Sequence, residues 1–241
     1  MTDKLQLFKQ GSIQLYPLFL ALFIDMLGFG IVMPILPRYA EYLGAASWQI
    51  GLLVGIFSLA QLIMLPFWGN LSDKIGRKPV LVISMLGTAI GYLIMALTRS
   101  ITVMIIGRIL DGASGGNISV IQASVSDMTK PSERSRMMGI LGAAYGLGFI
   151  FGPALGGWAS YYYGLSSPML IASGLAALNA FLLVILFPES QKNRREKFEK
   201  PSSVLMLLKH VEKKTYLTAL ITFFFFFFGF LANFFRIFFG N

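Results

Sequence analysis

The chain has 241 residues, of which 56% are hydrophobic and only 13% charged, with a mean hydropathy of +0.70, a formal net charge of +9 and no cysteine. A soluble domain carries about a quarter of its residues as Asp, Glu, Lys and Arg, so the composition excludes a soluble enzyme, and long apolar blocks without alternation exclude a β-barrel. With a single histidine and no thiolate, we expect no metal site and no cofactor.

Seven apolar blocks, each long enough to cross a bilayer as a helix, follow one another along the chain. They are Tyr16–Leu36, Trp48–Trp68, Pro79–Thr98, Thr102–Ala123, Met138–Ala159, Pro168–Phe187 and Tyr216–Phe235. Prolines support these limits, because Pro17, Pro79 and Pro168 fall at first-turn positions, and Pro37 and Pro188 follow helix ends. The sequence therefore predicts an all-α polytopic membrane protein.

The blocks divide the chain into four segments. Residues 1–15 form a cytoplasmic N-terminus, 16–188 a six-helix transmembrane bundle, 189–215 a basic cytoplasmic loop, and 216–241 a seventh, truncated helix. Six helices followed by one more, in a tail where eleven of the 22 phenylalanines fall, predict the truncation of a larger protein.

The distribution of lysine and arginine predicts the orientation of the chain. With a cytoplasmic N-terminus, sixteen basic residues lie on the cytoplasmic side, and only Arg38 and Arg99 lie opposite. The excess of positive charge therefore indicates the orientation of the chain in the membrane, and no nucleic-acid partner is expected. The basic stretch Lys192–Lys214 is interpreted as a solvated loop, with contact to anionic lipid as the alternative.

The seven blocks contain only three Asp, Glu, Lys or Arg residues, which are Asp25, Arg108 and Asp111. Each costs at least about 2.5 to 3.5 kcal/mol near the centre of a membrane helix, so each requires a partner, a water-filled cavity or a function. At about 1.5 Å per residue, all three lie within one or two turns of the midplane.

The fourth block carries a stripe of polar and small residues with helical spacing. Its members are Arg108, Asp111, Gly112, Gly115, Ser119 and Gln122. In one interpretation Arg108 and Asp111 neutralise each other while the glycines allow close packing. In the other, the stripe is a cavity wall, Arg108 is the partner of Asp25, and the proton occupancy of Asp25 changes with conformation, as in a proton-coupled switch.

Four motifs in order resemble the major facilitator superfamily, and within it the drug–proton antiporters of the tetracycline-efflux type. Residues Gly69–Pro79 match the signature loop between the second and third helices. Asp25–Pro37, Gly107–Gly112 and Gly148–Gly157 resemble the group motif of the first helix, the arginine motif and the antiporter motif.

The resemblance implies the six-helix N-terminal half of the major facilitator fold, a 3+3 inverted repeat, with a partial seventh helix. It further implies a proton-coupled exporter of small hydrophobic compounds or drugs in the bacterial inner membrane. Its partners would be protons, a small-molecule substrate, lipid, and a missing C-terminal half or a second copy. Tetracycline exporters carry an acid before an aromatic residue in the third helix, whereas this chain has Gly91 before Tyr92, which argues against tetracycline.

The resemblance also implies roles for two groups of residues. The gating loop comprises Gly69, Asp73, Gly76, Arg77 and Lys78. A glycine-rich face of the fifth helix serves either close packing or a flexing seam and comprises Gly148, Gly152, Pro153, Gly156 and Gly157. Asp127 and Arg134 repeat the acid-to-arginine spacing more weakly, with an ordinary loop ion pair as the alternative.

Three other functions compete with drug export. Gly112–Gly115 fits the pattern of an intramembrane serine protease with Ser114 as nucleophile, but the single histidine, His210, lies in a basic loop, so we expect no enzyme. The chain would otherwise be an inactive or partner-dependent half-transporter, or a transporter of another solute such as a sugar or metabolite.

Overall fold

The computed structural model describes residues 2–189, with side chains from residue 15 onward, and residues 218, 221 and 222. The chain divides into two compact units, Met1–Arg195 and Glu196–Asn241. In the second unit the described residues are helical and exposed, and the Thr222 hydroxyl donates to the Thr218 carbonyl (2.8 Å). Most of the seventh predicted helix, the stretch 192–214 and His210 lie outside the described residues, so the statements about them stay predictions.

Residues 2–189 form eight helices. They are α1 (Thr2–Val32), α2 (Leu36–Tyr42), α3 (Ser47–Ile75), α4 (Arg77–Leu97), α5 (Ile101–Ser114), α6 (Asn117–Met128), α7 (Pro131–Tyr163) and α8 (Ser167–Leu186). Five apolar stretches in this part of the chain are long enough to cross a membrane: Leu15–Tyr42, Ser47–Ile75, Arg77–Leu97, Pro131–Tyr163 and Ser167–Leu186. The described residues contain no strand, and the all-α polytopic prediction is confirmed.

Two predicted helices are interrupted. The first ends at Val32 and resumes as α2, because Pro34 lacks an N–H and disfavours a helical conformation at Met33. The fourth was predicted as one helix over 102–123, which is wrong: α5 ends at Ser114 and α6 begins at Asn117. The two consecutive glycines between them weaken a helix at this point.

The signature segment Gly69–Pro79 is helical almost throughout, so the prediction of a loop is wrong. Helix α3 continues to Ile75, α4 starts at Arg77, and only Gly76 lies between them. Gly76 has φ of 107°, a conformation that a residue with a Cβ rarely adopts. One glycine therefore makes the whole reversal.

The first unit packs around two apolar clusters. One, around the middle of α1, includes Leu15, Leu81 and Phe187, and the other, around the start of α2, includes Leu36 and Met95. Helix α1 lies against α7 and α8, α4 packs on α5 and α8, and α5 packs on α3. Between the two clusters lie the buried polar residues of the candidate site.

Candidate functional site

Arg108 is a fully buried arginine in the middle of α5, and its ion-pair partner is Asp111, one turn further on. Arg108 Nη1 lies 2.7 Å from Asp111 Oδ2, and the two side chains are 0% and 3% exposed. Nε donates to the Leu53 carbonyl (3.4 Å), and Nη2 lies 3.6 Å from the Met33 sulfur. The guanidinium carbon stands 4.1 Å from the centre of the Phe57 ring. The buried charge is thus neutralised and stacked within α3 and α5.

Asp25, on α1, is partly exposed. Its carboxylate lies within electrostatic range of Asp111. Among the described side chains, Arg108 forms its ion pair with Asp111 and not with Asp25. The expected partnership of Asp25 with Arg108 is therefore not observed, because the i, i+3 spacing on one helix gives Arg108 a nearer acid.

The break between α5 and α6 leaves backbone carbonyls without helical partners inside the bilayer, where no water can bind them. Side chains of α3 and α4 supply the donors. They are the Gln61 amide on the Gly115 carbonyl (2.8 Å), the Trp68 indole N–H on the Ala113 carbonyl (2.6 Å) and the Ser84 hydroxyl on the Ser114 carbonyl. Specific hydrogen bonds therefore stabilise the interruption of the helix, which the hydrophobic pattern did not predict.

The polar stripe predicted for the fourth helix divides at this break. A Cβ on Gly112 would overlap the Phe57 carbonyl, and one on Gly115 would lie 2.9 Å from the α3 glutamine that binds its carbonyl. These glycines therefore let α3 and α5 touch. On α6, Ser119 donates to a carbonyl of the turn (2.8 Å), and Gln122 is exposed.

Aromatic side chains from three helices form a ladder that starts at Arg108. The ring centres of Phe57 and Phe29 are 5.4 Å apart, and those of Phe29 and Phe149 5.7 Å. Phe149 then stacks on Tyr145 at 5.7 Å and 14°. Phe149 and Tyr145 are 39% and 41% exposed, so one end of the ladder lies at the surface of the bundle and the other is buried against a charge.

The glycines of α7 do not all serve one purpose. Those that pack against α1 are Gly148, Gly152 and Gly156. A Cβ on Gly152 would lie 2.6 Å from Gly30 Cα, so the two backbones cross in direct contact. A Cβ added at Gly157 would have no atom of the described residues within 4 Å, so its expected packing role is not seen here. Helix α7 continues through Pro153 as one element.

A second charged cluster surrounds Arg77 at the ends of α3, α4 and α6. Its guanidinium lies 2.8 Å from Asp73 and 3.0 Å from Asp127, and Nη1 donates to the Ser72 hydroxyl oxygen (2.5 Å). Asp127 was predicted to pair with Arg134, but Arg134 binds a backbone carbonyl of α6 (3.2 Å). Arg77 is thus the partner of both acids, because the fold brings it beside Asp127.

Glu189 joins this cluster from the segment that follows α8, a contact that no sequence pattern indicates. Its carboxylate accepts the backbone N–H groups of Arg77 (2.9 Å) and Lys78 (3.2 Å), and so caps the start of α4. A Cβ on Gly76 would overlap this carboxylate. By contrast, a Cβ added at Gly69 would have no atom within 4 Å in the described part of the chain, so the expected close backbone approach is not seen there.

Gly91, where the resemblance would place an acid, lies at the crossing of α4 and α5. A Cβ there would lie 2.9 Å from the Gly107 carbonyl and 3.0 Å from Asp111. The following aromatic residue, Tyr92, is buried. This packing leaves no room for an aspartate at position 91.

Comparisons with known proteins agree with this architecture. The sequence model of the Major Facilitator Superfamily matches residues 18–240. Tetracycline resistance protein class B of Escherichia coli is 35% identical over 176 residues, 72% of this chain and 43% of that protein. Multidrug resistance protein 2 of Bacillus subtilis is 32% identical over 216 residues, 88% of this chain and 54% of that protein.

Among solved structures, the human organic anion transporter TETRAN superposes with a TM-score of 0.64 at 28% identity, over 75% of this chain and 48% of that one. The chain spans about half the length of the curated relatives it matches.

Proposed function

The chain belongs to the Major Facilitator Superfamily, and from this premise we propose that it works in a proton-coupled secondary transporter that exports small hydrophobic compounds or drugs by alternating access. Relatives named for tetracycline and multidrug resistance support export of such compounds. The packing at Gly91 supports a substrate other than tetracycline.

The observation that carries this proposal is the position of Asp25. Arg108 and Asp111 satisfy each other, so Asp25 is left as the acid of the apolar helices that forms no ion pair among the described side chains. A carboxyl group within a membrane helix is energetically costly, so its presence points to a function. Exchange of a proton is the function that its chemistry supports. The aromatic ladder beside it offers an apolar surface for the exported compound.

We assign gating to the Arg77 cluster. Gly69, Asp73, Gly76 and Lys78 lie with Arg77 at the junction of α3 and α4, where breaking and remaking ion pairs would accompany the change of access. The cluster joins the ends of α3, α4, α6 and α8, which supports the placement of their basic flanks on one membrane face. We propose that this face is the cytoplasmic side of a bacterial inner membrane and that the N-terminus lies there too.

A second candidate is a half-transporter that acts only with a partner, or not at all. The matched part of this chain covers 43% of the class B tetracycline resistance protein, which favours a second bundle facing Asp25, from a C-terminal half or another copy of the chain. Export of a sugar or metabolite is the remaining alternative within the same mechanism.

Reconstitution tests these proposals. The chain is placed in lipid vesicles, a proton gradient is imposed, and the movement of a fluorescent hydrophobic dye is followed. We expect gradient-driven movement that Asp25→Asn abolishes and that Glu41→Gln, which neutralises an exposed acid on α2, leaves intact. Equal movement with and without Asp25 contradicts proton coupling through this residue. Inactivity of every variant under a verified gradient contradicts transport by the chain alone and favours the second candidate.

A further inference from the structure

Asn117 of α6 and Asn179 of α8 are two buried amides that contact the same sulfur atom. Each residue is 1% exposed. Asn117 Nδ2 lies 3.6 Å and Asn179 Nδ2 lies 3.4 Å from the sulfur of Met85 on α4, which is itself fully buried. The two amides therefore meet at one atom in the interior of the bundle.

The oxygen atoms of both amides lack a hydrogen-bond donor among the described groups. These atoms are Asn117 Oδ1 and Asn179 Oδ1. In the part of the chain that the structure describes, every other buried side-chain nitrogen or oxygen atom has a partner. Buried polar atoms almost always have one, and the hydrocarbon of a membrane supplies none. The two exceptions coincide around a single methionine, which indicates one shared site.

Reversing the amides does not remove this requirement. The orientation of Asn179 is fixed, because its Nδ2 donates to the Ala21 carbonyl of α1 (2.8 Å) and an oxygen atom could not take that place. Asn117 contacts only a weak sulfur acceptor, so its amide is easier to turn over. Turning it would exchange an acceptor that needs a donor for a donor that needs an acceptor. Either orientation therefore requires a further polar group.

The group that completes this site must be small, neutral and able to donate hydrogen bonds. A metal cation is disfavoured, because two oxygen atoms are too few to hold it and both amide nitrogens bring N–H groups to the same region. A water molecule has two O–H donors, and buried waters typically make about three hydrogen bonds to polar groups that are otherwise without partners.

We infer that a water molecule is bound between the amides of Asn117 and Asn179, next to the Met85 sulfur. Through the bond from Asn179 to the Ala21 carbonyl, this water connects α6 and α8 with α1. The site follows from the buried amides alone and goes beyond the proposed export function.

Radiolytic labelling followed by mass spectrometry tests the site, because X-ray pulses convert water into hydroxyl radicals that oxidise a neighbouring thioether. The full chain in lipid is irradiated while frozen, so that radicals from bulk water do not diffuse into the bundle. Met95 and Met104 are the matched controls, because they are also 0% exposed and belong to the second apolar cluster. We expect Met85 to be oxidised severalfold faster than either control.

Substitutions locate the water. Asn117→Leu combined with Asn179→Leu removes both amides at similar volume and should lower the oxidation rate of Met85 to that of Met95. Ser124→Ala should leave the rate unchanged, because Ser124 is a buried hydroxyl of the same helix α6 that donates to the Val120 carbonyl (2.8 Å).

Equal oxidation of Met85 and the control methionines in the wild type overturns the inference and favours a direct bond between the two amides. Undiminished oxidation of Met85 in a folded double variant also overturns it, because other groups would then hold the water. If the double variant does not fold, the comparison within the wild type decides. Dye movement is measured separately, so failure of this inference is distinguishable from failure of the proposed function.

Discussion

Replacing Asp111 by asparagine should destabilise the bundle strongly, because it strands a buried positive charge. Arg108 is fully buried, and Asp111 is its ion-pair partner at 2.7 Å. Removing one member of a buried pair costs about 3 to 5 kcal/mol. The stacking on Phe57 and the bond to the Leu53 carbonyl survive the substitution, so we expect the lower end, about 3 kcal/mol.

Thermal unfolding in detergent measures this effect. For a chain of this size, about 1 kcal/mol shifts the midpoint by roughly 2 to 4 °C, so Asp111→Asn should lower it by roughly 6 to 12 °C. The matched control is Asp73→Asn. Asp73 is 44% exposed and Arg77 keeps Asp127 at 3.0 Å, so its loss should cost no more than about 1 kcal/mol.

A double replacement separates charge burial from general damage. Arg108→Leu with Asp111→Leu removes both charges, and an apolar pair of similar volume is often as stable as the ion pair. We expect the double variant to unfold well above Asp111→Asn. If Asp111→Asn melts like the wild type, or if the double variant is worse than the single one, the pair does not neutralise a buried charge in the way its geometry implies.

Two further substitutions address the helix crossings, with the same unfolding assay. Gly91→Ala places a methyl group 2.9 Å from the Gly107 carbonyl and should cost about 1 to 3 kcal/mol of stability. Gly174→Ala, on an open face of α8, is the control and should be neutral or slightly stabilising. Equal unfolding midpoints of the two variants would contradict tight packing at Gly91. Trp68→Phe keeps an aromatic ring but leaves the partly buried Ala113 carbonyl without its donor, so a loss of about 1 to 3 kcal/mol is expected, and an unchanged midpoint would mean that this carbonyl finds another partner.

The membrane helices were predictable because hydrocarbon thickness fixes their length and composition. The interruptions were not, because each depends on a local conflict with the apolar pattern. The pattern is continuous across Gly115, and only distant side chains such as Gln61 make the break stable. Prolines and glycine pairs marked both interruptions, but hydropathy outweighed them in the sequence-based prediction.

The site was predictable to the extent that its chemistry is local. Arg108 and Asp111 share one helix face, so their ion pair was one of two interpretations available from spacing. The contacts of Glu189 with Arg77 join residues 112 positions apart, and no periodicity encodes such a contact.

The turn between α5 and α6 divides this membrane-spanning segment into two short helices in place of one continuous helix. In a continuous helix, sliding or rotating one end carries the other end with it. Here Arg108 and Asp111 lie on α5, while Asn117 begins α6. The ion pair and Asn117 therefore belong to separate helical segments, which are coupled less rigidly than two parts of one continuous helix.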